Sequence, residues 1–322
     1  MKIDQIRPES LISLAELAYM KDVSFYKSKI DSFIQRLCPA CGLNTKSTFF
    51  VKDEFAYSKC KGCHCIFMNP GPTQELVDQF YNQSENYKFW SENTYPKSKE
   101  ERLKTIHKER AEWVLDKLYE RFPNQDSFTI LELGAGTGDT LITLKKTSEI
   151  ELHVYATEPN PSMASHLHQN GISLVTSEEL STNKFAKKFD GIVCFEVLEH
   201  LLHPVDVLLN VSRNLKSKGL IFASTPNSQS LEVQLLKEAS TTVDIEHISV
   251  LAPSSIYAIA GKTNCKVIEV TTPGKLDFEL MEKAHISLAL TKKDEIKSSQ
   301  EIQDFIEFSG FSSHMKVVLV KD

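Results

Sequence analysis

The sequence predicts an α/β protein whose larger part, residues 126–322, is a doubly wound and mostly parallel sheet. Three observations point there. From residue 127 onward, short apolar runs alternate with stretches of helical period. The first of those runs ends in a glycine-rich turn, Gly134-Ala135-Gly136-Thr137-Gly138. Two further strand-like runs, NCKVIEVTTPG and HMKVVLVKD, come late and extend the set of strands. Ahead of this domain lie a helical segment (1–35), a cysteine-bearing unit (36–72) and a helical and aromatic cap (73–125).

The elements follow in order. ESLISLAELAYM and FYKSKIDSFIQRL place apolar residues three and four apart, which predicts helix over 9–36. Short strand-like pieces lie between the paired cysteines of 37–72. PTQELVDQFY and KSKEERLKTIHKERAEWVLDKLYERF read as helices, while SENYKFWSENTYP between them shows neither period. FTILELG, LHVYATEP, GISLVTS, FDGIVCFEVLEH and KGLIFASTPN read as strands, with helices GDTLITLKKTSE, SMASHLHQN and PVDVLLNVSRNLK among them. An insertion over 274–312 carries the helical pattern DEIKSSQEIQDFIEF before the last strand.

Composition narrows the class. Hydrophobic residues make up 41% and charged residues 25%, enough for a packed core in a soluble protein. A net charge of −6 argues against a protein whose main task is gripping nucleic acid by its phosphates. The start MKIDQIRPES lacks the charged and apolar regions of a signal, and no run of 18 apolar residues occurs. A cytoplasmic location with reduced cysteines is therefore expected. Five of the seven cysteines fall within residues 38–65. Cys38-x-x-Cys41 and Cys60-x-x-Cys63, eighteen residues apart, have the spacing of a four-thiolate zinc ribbon. Four protein ligands leave no open position, so a structural Zn2+ is expected; a redox pair is the other reading. His64 and Cys65 are neighbouring donors, and Cys194 and Cys265 lie in apolar strands as core residues.

The glycine turn has context: a strand before it, a helix after it, and Glu158 twenty residues beyond Gly138 at the end of the second strand. An acid there accepts hydrogen bonds from ribose hydroxyls. The pattern is G-x-G-x-G, not the G-x-G-x-x-G of dinucleotide sites, and Glu132 lies inside the strand. A carboxylate so placed suits a cationic ligand better than a pyrophosphate.

On ILELGAGTGD, the acid of ATEPN, FDGIVCFEVLEH and LKSKGLIFASTPN, residues 126–270 resemble Rossmann-like class I S-adenosylmethionine-dependent methyltransferases, whose sheet is mostly parallel and seven-stranded. The resemblance implies Gly134, Ala135, Gly136 and Gly138 along the cofactor and Glu158 on its ribose. It implies Ser177 or Glu178 near the adenine and Phe195 or Glu196 near the sulfonium. Glu132 is expected to act on the methionine amino end.

Glu196-Val197-Leu198-Glu199-His200 follows the fourth strand, where ligands of open α/β sheets bind. His200 suits removal of an acceptor proton, with Glu199 and with His247 of DIEHISVLAP as further catalytic candidates. Glu196, Glu199, His200 and His247 together would also suit a divalent cation. Similar E-x-x-E-H segments bind a metal in small-RNA 3′-end 2′-O-methyltransferases, and ubiquinone-pathway O-methyltransferases carry the same short segment. Helix capping or pocket lining is the third reading, and the three stay open here.

Tyr81, Tyr87, Phe89, Trp90, Tyr95, His107, Arg110 and Trp113 mark the cap as a candidate acceptor region or as ordinary packing. His107 and Arg110, one helical turn apart, suit a cofactor carboxylate or an acceptor phosphate. Lys275, Asp277, Glu282 and Lys283 of the insertion read as a solvated face. The order of ribbon, N-P-G-P-T, E-N-Y-K-F-W and methyltransferase domain resembles bacterial methyltransferases of sugar and polysaccharide biosynthesis. That resemblance implies a small-molecule acceptor, a nucleotide-linked sugar or glycan precursor. The alternatives are an RNA methyltransferase with the ribbon as recognition module, and a non-catalytic cofactor-binding partner protein.

Overall fold

The computed structural model describes residues 8–182, 185, 188–275, 281 and 295–322. Its first elements are α1 (Ile12–Lys27), β1 (Thr48–Lys52), β2 (Phe55–Lys59), β3 (Ile66–Met68), α2 (Gln74–Gln83), α3 (Glu85–Phe89), α4 (Tyr95–Arg102) and α5 (Lys108–Arg121). β4 (Ser127–Leu133), α6 (Asp139–Thr147), β5 (Glu151–Thr157), α7 (Pro161–Gln169), β6 (Ser173–Leu174), α8 (Ser177–Ser181) and β7 (Phe189–Phe195) follow. α9 (Pro204–Ser212), β8 (Leu215–Pro226), α10 (Leu231–Leu236), β9 (Ser249–Val250), α11 (Pro253–Ala260), β10 (Cys265–Thr271), α12 (Glu295–Phe308) and β11 (His314–Lys321) complete them.

The large sheet has the order β10-β11-β8-β7-β4-β5-β6. β4 runs parallel to β5, from Ser127↔Glu151 to Leu133↔Thr157, and parallel to β7 through Glu132↔Val193. β11 is antiparallel to both β8 and β10. This is the mostly parallel, seven-stranded Rossmann-like sheet that the sequence predicts. β7 is buried along its whole length, as a strand covered on both faces should be.

By packing, the chain divides into two compact units. The first comprises Met1–Phe33, Pro72–Val193 and Asn214–Gly219 within the described residues. Its helix α1 stops at Lys27, short of the expected 36. Ser28 Oγ donates to Phe25 O and Ser32 Oγ to Lys29 O, so two serines offer the backbone turns that compete with a continuing helix. The SENYKFWSENTYP stretch is helical, contrary to the lack of period in its sequence. Ser84 caps α3 by accepting Tyr87 N, and a wide turn of π type, Trp90–Thr94, joins α3 to α4. A second such turn, Leu103–His107, joins α4 to α5. Each wide turn shifts the helical phase, which erases a 3.6-residue pattern without breaking the helix. Asp22 of α1, only 3% exposed, accepts Ser84 Oγ and the N–H groups of Glu85 and Asn86. Asp190 of β7 is fully buried but satisfied by Thr129 N, Gln125 Nε2 and Lys216 Nζ at 2.8 Å each.

The second unit comprises Ile34–Gly71, Cys194–Arg213 and Leu220–Asp322, again within the described residues. Here β1, β2 and β3 form an antiparallel sheet that β9 completes as a fourth strand, Ile66 opposite Val250 and Phe67 opposite Ser249. Phe55, Tyr57, Ile66, Phe67 and Met68 are its buried side chains. Cys194 and Cys265 are buried in β7 and β10, as their apolar surroundings predict. Lys275 is exposed. The expected insertion charges Asp277, Glu282 and Lys283 lie outside the described residues. Among the described residues no helix is long and apolar enough to cross a membrane.

Candidate active site

In the first unit, β4 delivers the glycine turn. Gly134, Gly136 and Gly138 all have positive φ, 61°, 55° and 75°. A Cβ on Gly138 would collide with Leu167 and Ile172, so this glycine is required by packing. A Cβ on Gly136 would meet nothing within 4 Å, so that face of the turn is open. Glu158, just past β5, accepts Gly136 N at 2.7 Å and Asn160 N at 2.9 Å, and burial raises its pKa. Ala135 N donates to Thr157 O, tying the turn to the end of β5.

Glu132 points out of β4 into a buried place, and its Oε2 has no hydrogen-bond partner among the described residues. Burial pushes its pKa up to about 8, against the pull of Arg110 and Thr140. A buried, unpaired carboxylate oxygen is costly unless something cationic meets it, which is the fit expected for an ammonium group. His107 Nδ1 lies 3.0 Å from Thr140 Oγ1, and burial first, then Arg110, lower its pKa to about 4. Lys99 sits 3.6 Å from Asp139. Ser177 and Glu178 are exposed in the first turn of α8, whose start is held by the reciprocal Thr176–Glu179 cap.

The second unit carries the E-V-L-E-H segment. Phe195 ends β7 and is buried, and Glu196 follows it in the left-handed region at φ 56°. A non-glycine residue held there is strained, and such strain gathers at functional sites. Glu196 accepts Ser224 Oγ at 2.5 Å and lies 3.2 Å from His314 Nε2. His314 is a residue that the motif reading misses. Its pKa is raised because Glu196 outweighs the cost of burial.

A tight turn, Leu198–His200, carries Glu199 and His200. One donor atom each from Glu199, His200 and His247 lies within 4.8 Å of the others. Glu196 is not in that group. The imidazole rings of His200 and His247 stand edge to face, 4.8 Å apart. His200 Nδ1 is 3.1 Å from Glu246 O, and His247 Nδ1 is 2.7 Å from Thr242 O. A carbonyl only accepts, so in both rings Nδ1 carries a hydrogen, and Nε2 bears the lone pair whenever the ring is neutral, as a cation ligand must be. Glu199 is fully buried; its Oε2 accepts Thr225 Oγ1 and its Oε1 has no partner among the described residues. Burial and then Glu196 raise its pKa to about 7. Burial and then His247 hold His200 neutral, whereas Asp244 and Glu199 overcome burial to raise His247. The set of one carboxylate and two Nε2 atoms fits a divalent cation, and the orphaned Glu199 oxygen is the observation that says so.

The four cysteines form the other cluster. Cys38, Cys41, Cys60 and Cys63 have their sulfurs within 4.8 Å of one another, with 3.4 Å between Cys38 and Cys63 and between Cys41 and Cys60. A tetrahedral zinc with Zn–S near 2.3 Å sets sulfurs roughly 3.8 Å apart, so the set fits one ion. Cys65 is buried beside them, its Sγ turned to Ile66 O.

A mostly parallel seven-stranded sheet with an open glycine turn after its first strand and an acid after its second defines a class I, S-adenosylmethionine-dependent methyltransferase. The family model for a methyltransferase domain matches residues 106–270, just over half of the chain, and the chain belongs to that family. A ubiquinone biosynthesis O-methyltransferase of Rickettsia canadensis is 27% identical over 130 residues, 39% of this chain and 54% of that protein. The chain thus spans about half the length of that relative. The protein of the same name from Rickettsia felis is 26% identical over 196 residues, 55% of this chain and 78% of that protein. Among solved structures, plantazolicin methyltransferase BamL superposes with a TM-score of 0.50 at 16% identity, covering 76% of this chain and 94% of that one.

Proposed function

We propose that this methyltransferase acts on an oxygen of a small-molecule acceptor that carries a second oxygen beside it, as a catechol or a sugar diol does. The observation that carries the proposal is the grouping of Glu199 with His200 and His247, both imidazoles turned so that Nε2 bears the lone pair. The O-methyltransferase names of the relatives support oxygen as the methylated atom. The nucleotide-linked sugar reading rests on the ribbon and aromatic segment alone, and the relatives above are named for ubiquinone biosynthesis rather than for sugars.

In this reading Gly134, Ala135, Gly136 and Gly138 line the cofactor, Glu158 takes its ribose and Glu132 its amino group. Ser177 or Glu178 serves the adenine end, and Phe195 the sulfonium end. S-adenosylmethionine supplies a methyl group already activated on sulfur, so alignment supplies much of the rate. A divalent cation held by Glu199, His200 and His247 would act as a Lewis acid that makes an acceptor hydroxyl easier to ionise. With no cation held, the free Nε2 of neutral His200 is the group that takes the acceptor proton; with a cation held, His200 and His247 are ligands and the proton of the ionising hydroxyl passes to solvent. Cys38, Cys41, Cys60 and Cys63 would hold a structural Zn2+.

The test is incubation of the zinc-loaded protein with methyl-labelled S-adenosylmethionine and three acceptor pools: polyprenyl catechols, nucleotide-linked sugars and RNA. Label in the catechols supports the proposal as stated. Label in the sugars keeps the diol and changes its source. Label in RNA alone overturns the small-molecule reading.

A further inference from the structure

Residues 240–248 have no helix or strand until Ser249 joins β9, yet they carry His247 and the carbonyl that orients His200. Backbone carbonyls without a ladder need other donors. Ser240 O and Val243 O both accept Lys52 Nζ, at 2.6 and 2.7 Å. Asp244 O accepts Tyr57 OH at 2.8 Å. Ile248 O accepts Met68 N at 3.2 Å and Arg36 Nη1 at 3.5 Å. Arg36 Nη2 also donates to Leu202 O at 2.9 Å, two residues past His200. Two further carbonyls of the run, Thr242 O and Glu246 O, take the two imidazoles. Asp244 Oδ1 in turn accepts the N–H groups of Glu246 and His247, at 2.8 Å each. All of these donors and acceptors belong to the second unit.

The donors Lys52, Tyr57 and Arg36 come from the cysteine unit. The carbonyls they hold, at 240, 243, 244 and 248, flank those at 242 and 246 that take the imidazoles. We infer that Lys52, Tyr57 and Arg36 are positioning residues for the Glu199–His200–His247 cluster, and that the cysteine unit serves as its outer support. Its Lys52 and Tyr57 are thereby committed within the chain and are not offered to a nucleic acid. This inference rests on the proposed role of the cluster, and the test separates the two.

The test uses the zinc-loaded, full-length chain and its Tyr57→Phe, Lys52→Met and Lys52→Arg variants. Tyr57→Phe removes one O–H, and Lys52→Met keeps most of the stem while removing the ammonium. Loss of such outer partners typically costs 10–100-fold in metal affinity. Mn2+ titration followed by electron paramagnetic resonance should therefore show at least about tenfold weaker binding in Tyr57→Phe and Lys52→Met, with partial recovery in Lys52→Arg. Zinc content and S-adenosylmethionine affinity should match the parent. Amide exchange at Glu246 and His247 should quicken in the same two variants. Unchanged Mn2+ affinity together with unchanged exchange would overturn the inference. If the parent binds no Mn2+, the cation reading of the cluster falls, and exchange at Glu246 and His247 alone decides the positioning role.

Discussion

Glu132 shows how much one buried carboxylate can control. Burial lifts its pKa from the ordinary value of 4.5 to about 8. A raised carboxylate pKa contributes stability below the ordinary value that is lost as pH climbs toward the folded value. The protein without cofactor should therefore lose stability between about pH 5 and 8, and Glu132→Gln should remove that slope in denaturant titrations. A cationic ligand meets the ionised form, so S-adenosylmethionine affinity should rise from pH 6 to 8 in the parent and stay flat in Glu132→Gln by calorimetry. Glu158→Ala should weaken the same binding at least about tenfold, since a ribose hydroxyl loses a charged acceptor; unchanged affinity would mean that the turn serves another ligand. Both acids are legible in sequence because local spacing fixes them: one sits two residues before the first glycine, the other at the end of the next strand. His314 is not legible. Its partner Glu196 is 118 residues away, and only the fold of the second unit brings them to 3.2 Å.

At the scale of elements, local pattern locates strands and helices better than it sets their ends. Each of the five strands read between residues 127 and 227 is present, because each pairs an apolar run with a turn signal. The cap shows the limit. A wide turn at Trp90–Thr94, inside the aromatic stretch, changes the helical phase there, so that stretch presents no stripe to read. Its entry is held by a side chain from elsewhere, Asp22 of α1, which takes three hydrogen bonds at the start of α3. Asp22→Ala leaves those donors unpaired and should cost about 1–3 kcal/mol in chemical denaturation, with the loss larger than at an exposed cap. The sequence marks the cysteine unit as residues 36–72, and its sheet takes a fourth strand from residues 249–250. A two-residue strand has no periodicity, so only the register with β3 reveals it.

The candidate site residues of the whole molecule fall in two compact units. Glycine turn, Glu132 and Glu158 belong to the first, and both histidines and all four paired cysteines to the second. If the four cysteines hold zinc as proposed, stripping it with a strong chelator should loosen residues 36–70, read as faster amide exchange, while leaving S-adenosylmethionine affinity within about twofold, because four thiolate ligands would make that metal structural. Protein that keeps its exchange pattern and contains no metal by elemental analysis would refute the ribbon. Methyl transfer by protein that retains its ribbon zinc should fall in EDTA and return with a divalent cation. The pairing of β3 with β9 has a further consequence in time. On a ribosome the four cysteines emerge nearly two hundred residues before the strand that completes their sheet. Metal capture needs only local loop closure, whereas the last strand waits for a long one. With the proposed metal bound, the nascent chain would pass through a stage in which a three-stranded sheet exposes the unpaired edge of β3. Chains halted before residue 249 should aggregate through that edge, and chains whose residue 260 has left the ribosome should not, which makes sedimentation of stalled nascent chains a direct readout of when β9 completes the sheet.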